Sequence, residues 1–171
     1  MEIYKKSKVK FFHQLESTDC GSACLCMILS YHGKKVELTQ IKQLFEFTRI
    51  GVSVEDIVQV SEKVGLNATA LKLTLSQLEE IPLPAILFWK QDHFIVLEKI
   101  ELKKKGPLYY LSDPGYGRIT LDSEVFAKEW QGNNEKGVGI VLEMSEDFIS
   151  SVIPKEKNKS FVTFPFFIYE I

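Results

Sequence analysis

Gln14-Leu-Glu-Ser-Thr-Asp-Cys-Gly-Ser-Ala-Cys-Leu-Cys-Met-Ile-Leu-Ser-Tyr-His-Gly33 is the stretch that sets the architecture. From Gly21 to His32 the run is mostly apolar, with Ala23, Met27, Ile28 and Tyr31 on one stripe, and Gly33 stands where a helix would stop. The pattern predicts a buried helix. The polar residues before it end on Cys20, so a thiol sits at the positive end of that helix, where free N–H groups favour thiolate over thiol. Gly21 beside it is expected to let a substrate backbone approach closely.

Upstream, residues 1–13 read as an extended lead-in anchored by Val9, Phe11 and Phe12. Downstream, Leu38–Phe47 carries Leu38, Ile41, Leu44 and Phe45 at helical spacing, and Ser53-Val-Glu-Asp56 opens a further helix that stops at Gly65. The period then changes. Ala68–Leu73 alternates like a strand, and Ser76-Gln-Leu-Glu79 has the form of a capping box for a short helix. Pro84–Trp89, His93–Ile100, Leu108–Ser112 and Gly117–Leu121 read as strands, Asp122 as the cap of a helix over Ser123–Trp130, and Val138–Met144 as a last strand. Helices first and strands later predict an α+β domain, its helical N-terminal half packed on a mainly antiparallel sheet. That domain is expected over residues 1–150. Residues 151–171 are expected to be a tail, lysine-rich at 154–159 and aromatic from Phe161 to Ile171.

The composition excludes several classes. The chain has 171 residues, 45% of them apolar, with 21 Lys and Arg against 23 Asp and Glu. Such a sequence can bury a core, unlike a disordered chain. It lacks the basic excess of most nucleic-acid binders, so no nucleic-acid partner is expected. The three cysteines, Cys20, Cys24 and Cys26, form no CxxC and no zinc-type pattern. They read as reduced thiols in a cytosolic setting. No signal-peptide core and no run near the roughly 20 apolar residues of a membrane span is present.

Cys20 needs a base, and the chain has three histidines, of which His13 stands beside Gln14 in the lead-in. His32 lies at the far end of the Cys20 helix, about 18 Å away at 1.5 Å per residue. His93 opens a strand that leads through Lys103-Lys-Lys-Gly106 into a second one. With the hairpin turn near residues 103–104, Asp113 falls opposite His93 or within about two residues of it. A carboxylate there fixes the imidazole tautomer and stabilises imidazolium. Asp19 and Asp92 are the competing carboxylates. Gln14, six residues before the thiol, can aim its amide N–H at an oxyanion forming beside the Cys20 N–H.

Taken in order, these segments resemble the C39 peptidase domain at the N-terminus of peptidase-containing ABC transporters, which export bacteriocins and other double-glycine leader peptides. The matching stretches are Gln14 with the Asp19-Cys-Gly-Ser-Ala run through Tyr31-His-Gly33, Gly51-Val-Ser53, Val64-Gly-Leu66, Pro84–Trp89, His93–Leu97, Asp113-Pro-Gly-Tyr-Gly117 and Phe126 to Trp130-Gln-Gly132. The resemblance implies a papain-like fold with Cys20 as nucleophile, His93 as base, Asp113 as its orienting partner and Gln14 in the oxyanion hole. It implies cleavage of a precursor peptide after a Gly-Gly or Gly-Ala pair, coupled to export by transmembrane and ATPase parts in cis or trans. No cofactor is implied for the peptidase itself, since ATP is used only by the ATPase part. The implied location is the cytoplasmic face of the bacterial membrane. Two other functions fit less well: a catalytically silent domain that docks the leader, and a Cys-His acyltransferase.

Overall fold

The structure is a computed structural model and describes residues 8–45, 51–151 and 153. Helix α1 spans Cys20–Tyr31, α2 Leu38–Lys42, α3 Val54–Lys63, α4 Leu75–Leu78 and α5 Ser123–Gln131. The strands are β1 Leu66–Leu73, β2 Ala85–Trp89, β3 His93–Lys103, β4 Gly106–Asp113, β5 Gly117–Asp122 and β6 Gly137–Met144. They form one six-stranded sheet in the order β1-β6-β2-β3-β4-β5, every neighbour antiparallel. The expected α+β class is therefore borne out.

The central strands explain why their sequences do not alternate between apolar and polar. Along β3, Phe94 and Val96 join the core under α1 and α3, whereas Ile95 and Leu97 join a second core against α5. In β2, Ile86 and Leu87 divide in the same way. A strand covered on both faces needs apolar residues at every position. Helices thus lie on both sides of the sheet, with Phe126 of α5 stacked on Tyr109 of β4 at 3.9 Å between ring centroids. Helix α1 is more enclosed than its single stripe predicts, with Cys20 through Leu29 all buried. A helix apolar on every side belongs inside a core.

Two local expectations need correction. The second helix, expected over Leu38–Phe47, ends at Lys42; Leu44 and Phe45 pack from a turn beyond it, and Phe47 lies outside the described residues. The cap of α4 is Thr74, whose hydroxyl accepts from the Gln77 N–H, rather than Ser76. Leu73 is the last paired residue of β1, so Thr74 is the first residue free to cap. By contrast, Ser53 and Asp56 make the reciprocal capping bonds expected of them.

Behind α1, Lys34 Nζ donates to the carbonyls of Val64 at 3.1 Å and Phe148 at 2.9 Å and to Ser151 Oγ. These bonds fasten the chain after β6 onto the helical side. Of the tail expected at 151–171, only residues 151 and 153 are described.

Candidate active site

A 3₁₀ turn at Ser17–Asp19 delivers the chain into α1, and Cys20 is the first residue of the helix, only 5% exposed. Gly21 does not face a cleft. A Cβ there would stand 3.1 Å from Val52 and 3.2 Å from Ile57, so this glycine allows α1 to pack close to the start of α3. The expected approach of a substrate backbone is therefore corrected: what comes close to Gly21 is the protein's own side chains.

His93 is the first residue of β3, paired with Trp89 across a tight turn in which Lys90 and Gln91 both have positive φ. The β3–β4 hairpin carries Asp113 toward it. Lys103 pairs with Gly106 at the turn and Val96 with Ser112 near the site, with an irregularity between Leu97 and Lys99. Extending that register leaves Asp113 two places from the position facing His93, on the same side of the sheet. His93 Nε2 lies 2.9 Å from Asp113 Oδ1, which also accepts from the Gly115 N–H at 2.8 Å.

Burial is the largest influence on the His93 ring and opposes its charge, but hydrogen bonds and charge interactions with Asp113 and Cys20 outweigh it and raise its pKa to about 9. Asp113 shows the converse. Burial alone would raise its pKa, yet hydrogen bonds from His93 and the Gly115 N–H hold it below the ordinary carboxylate range. Since Nε2 is committed to Asp113, the ring nitrogen left for the Cys20 thiol is Nδ1.

Gln14 completes the group. Its N–H donates to the Pro114 carbonyl at 3.0 Å, its side chain lies against Gly115, and its buried Oε1 accepts no hydrogen bond. Gln14, His93 and Asp113 line one cleft of about 690 Å³ with Trp89, Tyr116 and Val125. The cleft's apolar wall was not assigned from sequence: Trp89 reads as a core strand residue and Tyr116 as part of a turn.

The other candidates are elsewhere. His13 is exposed and meets Phe11 edge-on, while His32 is buried beside Phe148 beyond the far end of α1. Asp19 turns to Lys42, with 2.8 Å between Nζ and Oδ1, and Asp92 is exposed on the rim of the cleft. Cys24 and Cys26 are fully buried on α1, and burial pushes both thiols up. Among the described residues no group of three or more His, Cys, Asp or Glu could hold a metal, and no helix is long and apolar enough to cross a membrane.

A thiol at a helix N-terminus, an imidazole from the sheet and a carboxylate behind it define a papain-like cysteine peptidase. More narrowly, the chain belongs to the Peptidase C39 family, whose sequence model matches residues 8–134. It is 32% identical over 132 residues to the probable microcin-H47 secretion/processing ATP-binding protein MchF of Escherichia coli. It is 33% identical over 129 residues to the lactococcin-G-processing and transport ATP-binding protein LagD of Lactococcus lactis. These matches cover 77% and 72% of this chain but 18% of each relative, so the chain spans about a fifth of their length. Among solved structures it is similar to a double glycine motif protease from an AMS/PCAT transporter in complex with the leader peptide. That likeness has a TM-score of 0.72 at 26% identity and covers 82% of this chain and 94% of the other. The peptidase domain of Streptococcus ComA, a bi-functional ABC transporter involved in quorum sensing, shares the fold at TM-score 0.68 and 20% identity, covering 80% of this chain and 99% of that one.

Proposed function

We propose that this chain cleaves the leader from a ribosomally made precursor peptide after a Gly-Gly or Gly-Ala pair, as part of peptide export. The observation that carries the proposal is the His93 ring, held by Asp113 on one nitrogen and interacting with Cys20 at the mouth of α1. Cys20, as thiolate, attacks the carbonyl carbon of the second small residue. The oxyanion is met by the Cys20 N–H and the Gln14 side-chain amide, a type of contact worth about 3 kcal/mol in acyl transfer. Imidazolium at His93 gives its proton to the departing amine as the C–N bond breaks and a thioester forms. Neutral His93 then takes a proton from water, whose oxygen attacks the thioester and releases the leader carboxylate and the Cys20 thiolate. Asp113 keeps the ring oriented throughout.

The reaction uses the chain's own side chains and water, with no cofactor. ATP would be consumed by the ATPase part of the transporter, joined in cis or trans with its transmembrane part. The site would then work at the cytoplasmic face of a bacterial membrane. Support for this setting comes from relatives named as secretion/processing ATP-binding proteins and from a similar structure in complex with a leader peptide.

The test is incubation with a synthetic double-glycine precursor, read by mass spectrometry. Cleavage after the glycine pair that disappears in Cys20→Ala is the expected result. Binding without cleavage would instead indicate a docking domain, and amine incorporation an acyltransferase.

A further inference from the structure

The Asp19 side chain is wholly enclosed and lies one residue before Cys20. A buried carboxylate beside a sulfur that must ionise opposes that ionisation unless a cation balances it. Lys42, the last residue of α2, supplies the cation, with Nζ 2.8 Å from Asp19 Oδ1 and 2.9 Å from Oδ2. Asp19 Oδ2 also accepts from the Glu16 N–H at 3.1 Å, closing the turn that leads into α1. The short helix α2 buries only Ile41, and reciprocal bonds between Glu37 and Gln40 fix its start. Burial works against the Lys42 charge, but the hydrogen bond and charge of Asp19, with help from Glu16, outweigh it and hold the ammonium protonated.

We propose that Asp19 and Lys42 form a positioning pair for the peptidase reaction: Asp19 seats the turn that delivers Cys20, and Lys42 balances the buried negative charge that this places one residue before the thiol. The inference rests on Cys20 being the nucleophile. Every neighbouring element bears on the charge balance at the thiol. His93 comes from β3, Asp113 from β4 and Cys24 from the next turn of α1. Glu16 is exposed and 3.4 Å from Lys42. On the α3 side the nearest neighbours of Gly21 are apolar Val52 and Ile57, and the Asp56 carboxylate is bound to Ser53. Asp19 is thus a buried carboxylate at the start of α1, turned to Lys42, while Asp113 holds His93 on the sheet side.

The two members of the pair carry opposite charges, so removing them displaces the reaction in opposite directions. In Lys42→Met the enclosed carboxylate is uncovered, and the pH midpoint of Cys20 alkylation by iodoacetamide should rise by about one unit. That is about tenfold slower labelling on the acidic limb. In Asp19→Asn the amide oxygen still accepts from Glu16, the Lys42 ammonium keeps Glu16 but loses the buried carboxylate, and the midpoint should fall. Lys42→Arg should restore the wild-type midpoint, and the double variant should return toward it. Labelling at Cys20 is located by peptide mass spectrometry, with each variant confirmed folded by circular dichroism at every pH used. Unmoved midpoints, or displacement in the same direction in both single variants, would overturn the proposal. That failure is distinct from failure of the peptidase assignment, which is signalled by leader cleavage persisting in Cys20→Ala.

Discussion

Replacing Asp113 by Asn removes a charge while keeping the shape of the site. The Asn oxygen still accepts from His93 Nε2–H and from the Gly115 N–H, so the ring stays oriented. What is lost is the anion that helps hold the His93 pKa at about 9. Without it the imidazole returns toward its ordinary value of about 6.5. At pH 8 the protonated fraction then falls from about nine-tenths to a few per cent, roughly a 30-fold loss of the form that protonates the leaving amine. At pH 6 the same arithmetic gives a loss of less than about twofold. The assay is kcat/KM for a double-glycine precursor from pH 5.5 to 9.5, with both proteins confirmed folded by circular dichroism. The expected outcome is a basic limb displaced downward by about two units, with activity near wild type on the acidic side. A uniform loss across the whole range, or a basic limb still near pH 9, would refute the assignment of the carboxylate's effect to its charge.

Near pH 6.5, brief iodoacetamide treatment should label Cys20 and leave Cys24 and Cys26 unmodified, since both are fully enclosed and burial disfavours their thiolates; equal labelling of all three, read by peptide mass spectrometry, would count against an activated thiol. The raised pKa of His93 makes stability depend on pH: its contribution is complete below about pH 6.5 and is lost as pH rises through about 9, on the order of 3 kcal/mol at most. Urea titrations at pH 6 and 9.5 should show that fall in wild type and a flatter profile in His93→Ala, and parallel profiles would contradict it. Gly21→Ala should cost about 1–3 kcal/mol, because its methyl group would enter the space held by Val52 and Ile57. An unchanged urea midpoint would mean that α1 and α3 separate without cost.

Local chemistry made most of the elements legible. The Ser53–Asp56 cap and the glycine stops after α1 and α3 work over a few residues, so they act alike in the sequence and in the fold. The second helix was overextended because Leu44 and Phe45 keep helical spacing while packing from a turn. Burial rewards an apolar side chain whatever backbone carries it. Gly21 was misjudged for a related reason: sequence shows that a glycine permits close approach, but not what approaches.

For the site, the sequence by itself determined the thiol at a helix start and, through hairpin register, the carboxylate near His93. Both are short-range consequences of regular backbone geometry. Only the tertiary structure makes the contact of Cys20 with the His93 that the family resemblance implies, since it joins residues 73 positions apart. It also decided that Asp19 turns away to Lys42 while Asp113 takes the imidazole. The physical reason is that charges select partners through space: enclosed carboxylates need a cation or hydrogen-bond donors within a few ångströms, and helix packing and strand order determine which ones arrive.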